Sequence, residues 1–460
     1  MHRLLTLLLA LALVAVACGS DGSDSAEAVE SADASAAPDV ADGDPDEGDE
    51  VMDDEEAMED TGESSDDDTA ASDDAAEDAA EAAPAAPPAT CGFGDELEPV
   101  QVVVEQIEGD PRDTTPSALQ GLHQDFPEPL INPDEIISGG PPPDGIPPID
   151  RPVFQTAESV DWLRCTEPVL SLVIDGEARA YPIQIMTWHE IVNDTFGDVP
   201  VTVSFCPLCN SALVYRRDVD GRILDFGTSG RLFNSSLVMY DRQTESLWTH
   251  FNGSAVVGSL TGVELELVAV QMTSWENFIR QNPEGTVLTR DTGFVRDYGR
   301  NPYQGYDNTG DNPFLFRGEL DERLAAKERV VSIQVEDDSA AIVLDFLIEQ
   351  AVHVETVGGR TLSVWHLPGT NSALDTGVIS EGRDIGTVGI FVPEADGTAL
   401  TFSRQADGTF MDAETGSIWD IGGVAIDGDL AGTRLEQVEH LDTFWFAIAA
   451  FEPDTRIVGG

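Results

Sequence analysis

Two stretches of this chain repeat one another, and that constrains its fold more than any other feature. Residues 169–213 align without a gap on residues 330–374, at a shift of 161. The first copy opens VLSLVIDGEARAYPI and the second VVSIQVEDDSAAIVL; both close on NSAL, at 210–213 and 371–374. Further on, FGTSG (226–230) faces IGTVG (385–389), and DRQTESLW (241–248) faces DAETGSIW (412–419). Gly258, Gly262, Leu265, Trp275 and Pro283 then face Gly428, Gly432, Leu435, Trp445 and Pro453. Such order over so many positions implies two copies of one supersecondary unit.

Within each unit the pattern is mostly that of strands. Residues 170–174 alternate and meet Asp175-Gly176, a turn signal, and a second strand follows over 178–181. Apolar spacing predicts a helix over 183–193. Further strands are expected over 199–205, 212–216, 237–240 and 246–248, with a turn over 241–245. The expected fold class is α+β and β-rich, with two pseudo-symmetric tandem units packed together. The expected boundaries are 156–318 for the first unit and 319–460 for the second. Residues 91–155 would form a Pro-rich extended arm, centred on the proline run of 139–152. Residues 301–316 have no counterpart and are expected to loop out.

The N-terminal part reads as export machinery. His2 and Arg3 precede an apolar run over 4–17, too short for a mature membrane span, and the run ends Ala15-Val16-Ala17-Cys18. Small residues before a cysteine fit lipoprotein cleavage, so residues 1–18 are expected to be a lipoprotein signal with the lipid on Cys18. The chain would then be exported and anchored to the outer face of the cytoplasmic membrane or cell envelope. Residues 19–90 hold 27 Asp and Glu and no Lys or Arg. Such a segment buries too little apolar surface to offset its ordering entropy, so a disordered acidic linker is expected. The formal net charge of −64 argues against nucleic acid as a partner, since phosphate binding needs basic patches. Contact with the membrane is expected through the Cys18 lipid alone.

Five cysteines are present, and without Cys18 an even set of four remains. Outside the cytoplasm such a set suggests disulfides. Cys206 and Cys209 are close enough to serve together, which leaves Cys91 with Cys165.

Comparing the two copies separates fold from chemistry. Asn210, Ser211, Asp241, Thr244 and Trp248 recur and read as structural. Cys206 faces Leu367, Cys209 faces Thr370, His189 faces Gln350, Asn193 faces Val354, Ser229 faces Val388 and Arg242 faces Ala413. Sulfur and polar chemistry therefore collect in the first unit. Cys206-Pro-Leu-Cys209 can be a thiol-redox couple, half of a metal site or a structural disulfide. A strand-like ALVYRR follows it, where a thioredoxin-like motif would have a helix. His189 is the expected partner, either tuning a thiolate or completing a Zn or Cu site with the two cysteines. Glu190 is positioned to orient it, and Asn193, Ser229 and Arg242 are expected to line the site. HEIVN lacks the second histidine of a zinc-protease helix, and GTSGR lacks the last glycine of a nucleophile elbow. The Asp…Trp segments lie 171 residues apart, which excludes propeller blades.

The motifs GGPPPDGIPPIDRPVF (139–154), RAYPIQIMTWHEIVND (179–194), FCPLCNSALVY (205–215), FGTSGRLFNSSLVMYDRQTESLW (226–248) and NPYQGYD (301–307) resemble the bacterial family named domain of unknown function 3179. The family has no settled activity. Some of its members are regarded as selenoproteins with selenocysteine in the Cys-x-x-Cys motif, which implies a redox-active Cys206 and Cys209. The resemblance also implies glutamine where His250 stands. The expected function is thus a surface-tethered thiol oxidoreductase of unspecified substrate and redox partner. The alternatives are a non-enzymatic metal-binding module using Cys206, Cys209 and His189, and a binding protein with a purely structural disulfide.

Overall fold

The computed structural model describes Cys91, the backbone of Val100–Val102, and residues 126–460. The signal peptide, Cys18 and the acidic linker lie outside the described residues. Among the described residues no helix is long and apolar enough to cross a membrane. The fold is β-rich, with several antiparallel sheets and four α-helices of seven residues each among the described residues.

The strand expected before the Asp-Gly signal forms as Pro168–Ile174 and pairs in antiparallel fashion with Glu177–Pro182. Asp175 and Gly176 both adopt positive φ, 51° and 84°, as a tight primed turn requires. Gln271–Ser274 flanks this hairpin antiparallel and Thr286–Leu288 flanks it parallel. A second sheet joins Ile191–Phe196, Val199–Cys206, Ser211–Arg216 and Leu267–Val268. A third joins Phe226–Phe233, Ser236–Asp241, Leu247–Thr249 and Ala255–Val257.

Residues 329–458 form three four-stranded sheets. One orders Leu441–Phe444, Arg329–Val335, Asp338–Val343 and Arg456–Val458; the next, Val352–Val357, Arg360–Leu367, Thr387–Val392 and Glu436–Gln437. The last orders Phe402–Arg404, Phe410–Asp412, Ile418–Trp419 and Ala425–Asp427.

Three expectations need correction. The helix over 183–193 stops at His189, because Glu190 turns left-handed at φ 59°. Beyond it the β-branched Ile191 and Val192 enter a hairpin that turns at Gly197, φ 53°. The matching of FGTSG with IGTVG does not hold. Thr387–Val392 pairs with Arg360–Leu367 as Ser211–Arg216 pairs with Val199–Cys206, whereas Phe226–Phe233 lies in a different sheet. Finally, residues 301–316 loop out only in part: 308–312 are exposed, but Asn301 and Asp307 are buried.

The Pro-rich arm lies along the first half. Gly139 N donates to Gly230 O, Asp144 N to Thr228 O, and Ile149 N to Ile191 O. Gly230 is glycine of necessity: its φ is +69°, and a Cβ would collide with the Pro141 carbonyl. Cys91 and Cys165 are joined as a disulfide.

Two Asp…Trp turns are built alike. Asp241 and Asp412 each accept the indole N–H seven residues on, from Trp248 and Trp419, at 2.9 Å, and each takes the backbone N–H of a Thr at 2.6 Å. The two carboxylates and both indoles are fully buried. Asp412→Ala leaves an indole N–H without its acceptor, and chemical denaturation is expected to show a loss of about 1–3 kcal/mol.

Candidate functional site

Cys206 ends the strand Val199–Cys206, and Ser211 opens the strand that pairs back on it, so Cys206 and Ser211 stand opposite each other. Cys-Pro-Leu-Cys is therefore the start of a hairpin loop, closed by Asn210 at φ 51° with its N–H on Pro207 O, 3.2 Å. Both cysteines are free thiols and are buried. The carbonyl of Cys209 accepts hydrogen bonds from the Thr443 hydroxyl, 2.7 Å, and the Phe444 N–H, 3.2 Å. The loop thus sits in a core shared by both halves, beside Val330, Phe444 and Trp445.

The two sulfurs have different surroundings. Cys209 Sγ is 2.9 Å from Ser211 Oγ and 3.5 Å from Ser236 Oγ. Burial opposes its thiolate, but hydrogen bonds from Cys206, Ser211 and Ser236 outweigh burial and bring its pKa below the usual thiol value. Cys206 moves the other way. Burial, then its hydrogen bond to Cys209 and repulsion by the Cys209 charge, push it well up. Glu190, at the left-handed end of the helix, is buried next to Cys206. Burial and the Cys206 charge raise its carboxyl to about 8.

Residues 301–316 form a strap over the pair. Tyr303 donates to Glu190 Oε1 at 3.3 Å, Tyr306 accepts from Phe314 N at 3.0 Å, and Phe314 O accepts from Ser235 at 2.5 Å. Both tyrosines pack on the core that holds the thiols. Asp307 fastens the strap to the second half through Arg329, 2.9 Å, Arg383, 2.9 Å, and Ser372, 2.5 Å. Lys327, the only lysine in the chain, donates to Tyr306 O at 2.6 Å.

The residues expected around the thiols divide. Glu190 is there. His189 is not: its Nδ1 lies 2.6 Å from Pro147 O and its Nε2 lies 2.6 Å from Tyr298 OH, so both ring nitrogens are occupied away from the sulfurs. Asn193 bonds Asp150 and Phe226, and Arg242 bonds Asp144 and Asp150. Ser229 donates to Val238 O, and its neighbour Thr228 bonds Ile146 O. His189, Asn193 and Arg242 thus clasp the Pro-rich arm, while Ser229 braces its own sheet. Contacts with the arm account for the polar side chains at His189, Asn193 and Arg242. Cys206, Cys209 and His189 do not form a metal site, and no group of three or more His, Cys, Asp or Glu among the described residues is placed to hold one.

The imidazole near the thiols is that of His250, 2.9 Å from Ser211 Oγ and 2.9 Å from Ser204 Oγ. The sequence held one signal for it, its departure from the resembled family's glutamine. Ser211 was concealed by the second NSAL, which does not occupy the matching place.

Two outcomes test these environments. Asp307→Ala strands the buried Arg329 guanidinium; a loss of about 3 kcal/mol or more is expected, together with faster labelling of Cys206 and Cys209 by an aromatic disulfide reagent. Glu190 should give a pH signature. Its folded pKa, about 8, stands above the ordinary 4.5, so the folded state binds the extra proton and its contribution weakens as pH rises through this window. The stability of Glu190→Gln relative to wild type is expected to increase from pH 5 to pH 8 and then level off, read by denaturant titration at each pH.

No curated protein and no solved structure matches the chain. The model of one family, "Protein of unknown function (DUF3179)", matches residues 143–455, a span that includes the last part of the arm, the thiol hairpin, the strap and nearly all of the second half. The chain belongs to the DUF3179 family.

Proposed function

We propose that this protein is a thiol–disulfide oxidoreductase, exported and tethered by a lipid on Cys18, with Cys206 and Cys209 as its couple. The carrying observation is the unequal pair of free, buried thiols: Cys209 lies between two serine hydroxyls and Cys206 faces a carboxyl. In the reduced protein, the Cys209 thiolate attacks a disulfide of the substrate, forming a mixed disulfide and expelling one substrate thiolate. Cys206 gives up its proton and attacks Cys209 Sγ, which releases the second substrate thiolate. One protein disulfide forms and one substrate disulfide is reduced; the two leaving thiolates take up two protons. Above pH 8, where Glu190 has given up its own proton, its carboxylate is a base beside Cys206 for the second of these steps.

The fold reading that goes with this is duplication. Residues 156–318 and 319–460 are read as two copies of one unit, supported by the sequence alignment and by sheets of like strand order in each half. The second copy has lost the thiols and supplies Arg329, Ser372 and Arg383, which hold the strap over those of the first. Substrate reaches the couple when the strap moves. His189 cannot join the two thiols at a metal ion while both its nitrogens bond Pro147 O and Tyr298 OH.

An exchange assay with a disulfide-linked reporter peptide tests this. Cys209→Ser is expected to abolish reduction of the peptide. Cys206→Ser is expected to stop after one turnover, with the mixed disulfide on Cys209 visible by intact-mass spectrometry. Full activity in either variant sinks the proposal.

A further inference from the structure

A chain of hydrogen bonds starts at Cys209 Sγ. Ser211 Oγ is 2.9 Å from Cys209 Sγ and 2.9 Å from His250 Nε2; His250 Nδ1 is 2.9 Å from Ser204 Oγ. All four side chains are buried. The backbone around the ring is fixed, with His250 N donating to Leu237 O at 3.0 Å and His250 O accepting from Tyr215 at 2.9 Å.

Each hydroxyl has one proton, so the directions along the chain depend on one another. For Ser211 to donate to sulfur, its oxygen should accept from His250 Nε2–H. His250 Nδ1 is then bare and accepts from Ser204. This order needs a neutral imidazole, and burial holds the ring neutral, pushing its pKa down to about 3. Cys206 lacks such a chain and meets the Glu190 carboxyl. In the second half, the places of Cys209, Ser211 and His250 fall to Thr370, Thr387 and Ile421 on the duplication reading. Thr370 and Thr387 still join their hydroxyls, at 2.7 Å, but Ile421 supplies no imidazole, and Thr387 bonds Thr273 instead, at 3.2 Å.

We propose that His250 is a positioning residue which, through Ser211, aims a hydroxyl at Cys209 and so makes Cys209 rather than Cys206 the sulfur that bears the thiolate. This rests on the thiol-exchange reading for its purpose, but its test does not need exchange to occur.

The test is a pH titration of thiolate absorbance in the full reduced chain, with a Cys209→Ser chain as the blank. His250→Gln retains an N–H for Ser211 and is expected to titrate as wild type. His250→Leu and Ser211→Ala remove the aimed bond and are expected to lower the Cys209 thiolate fraction at a given pH about tenfold, the usual weight of a hydrogen bond to a charged group. Ser211→Ala deletes a single oxygen and keeps the test open should His250→Leu not fold. Wild-type titration in the folded variants that lack the bond overturns the proposal, as does a His250→Gln chain that titrates like Ser211→Ala. The exchange reading fails separately: a wild-type chain that shows the expected titrations yet forms no Cys206–Cys209 disulfide in any glutathione buffer removes exchange and leaves the role of His250 standing.

Discussion

The Cys209 carbonyl is the point on which the arrangement depends. It accepts two hydrogen bonds from Thr443 and Phe444, more than two hundred residues further along the chain. An unpaired carbonyl at this depth would be costly, so the bonds lock the hairpin loop into the seam between the halves. The same seam buries both sulfurs among Phe444, Trp445 and the strap tyrosines. Desolvation then raises the cost of charge on either thiol, and small differences in hydrogen bonding decide which of them ionises.

The strap carries the opposite chemistry. It is held by charge at a buried carboxylate, Asp307, shared between two guanidiniums and a hydroxyl. Its inner face is aromatic and polar, with Tyr303 on Glu190 and Tyr306 beside the thiols. A buried ion pair of this kind specifies a position more than it adds stability, because its attraction largely offsets its desolvation. The halves therefore divide the work: one supplies sulfur and the other the clamp that covers it.

Much of the hairpin framework was legible from local pattern, because Asp175-Gly176 and the alternation before it are short-range signals. The helix after it was overextended, since Ile191 and Val192 fit either a helix face or a buried strand, and only pairing with Val199–Cys206 selects the strand. Of the site, the cysteine pair and Glu190 were legible. His189, Asn193, Ser229 and Arg242 were singled out for differing between the copies, yet a difference has more than one physical cause. Here the cause for three of them is the Pro-rich arm, which their side chains hold through Pro147, Asp144 and Asp150.

By itself the sequence determined the family, the β-rich class, the hairpin turns and the presence of a Cys-x-x-Cys pair followed by a strand, because each of these is written in contiguous residues. Only tertiary structure decided which imidazole stands near the thiols, that Tyr303 and Tyr306 cover them, and that Arg329 and Arg383 meet Asp307. Those contacts join residues tens to hundreds of positions apart. Their register depends on strands whose pairing is set by burial across the whole fold, and no local pattern encodes that.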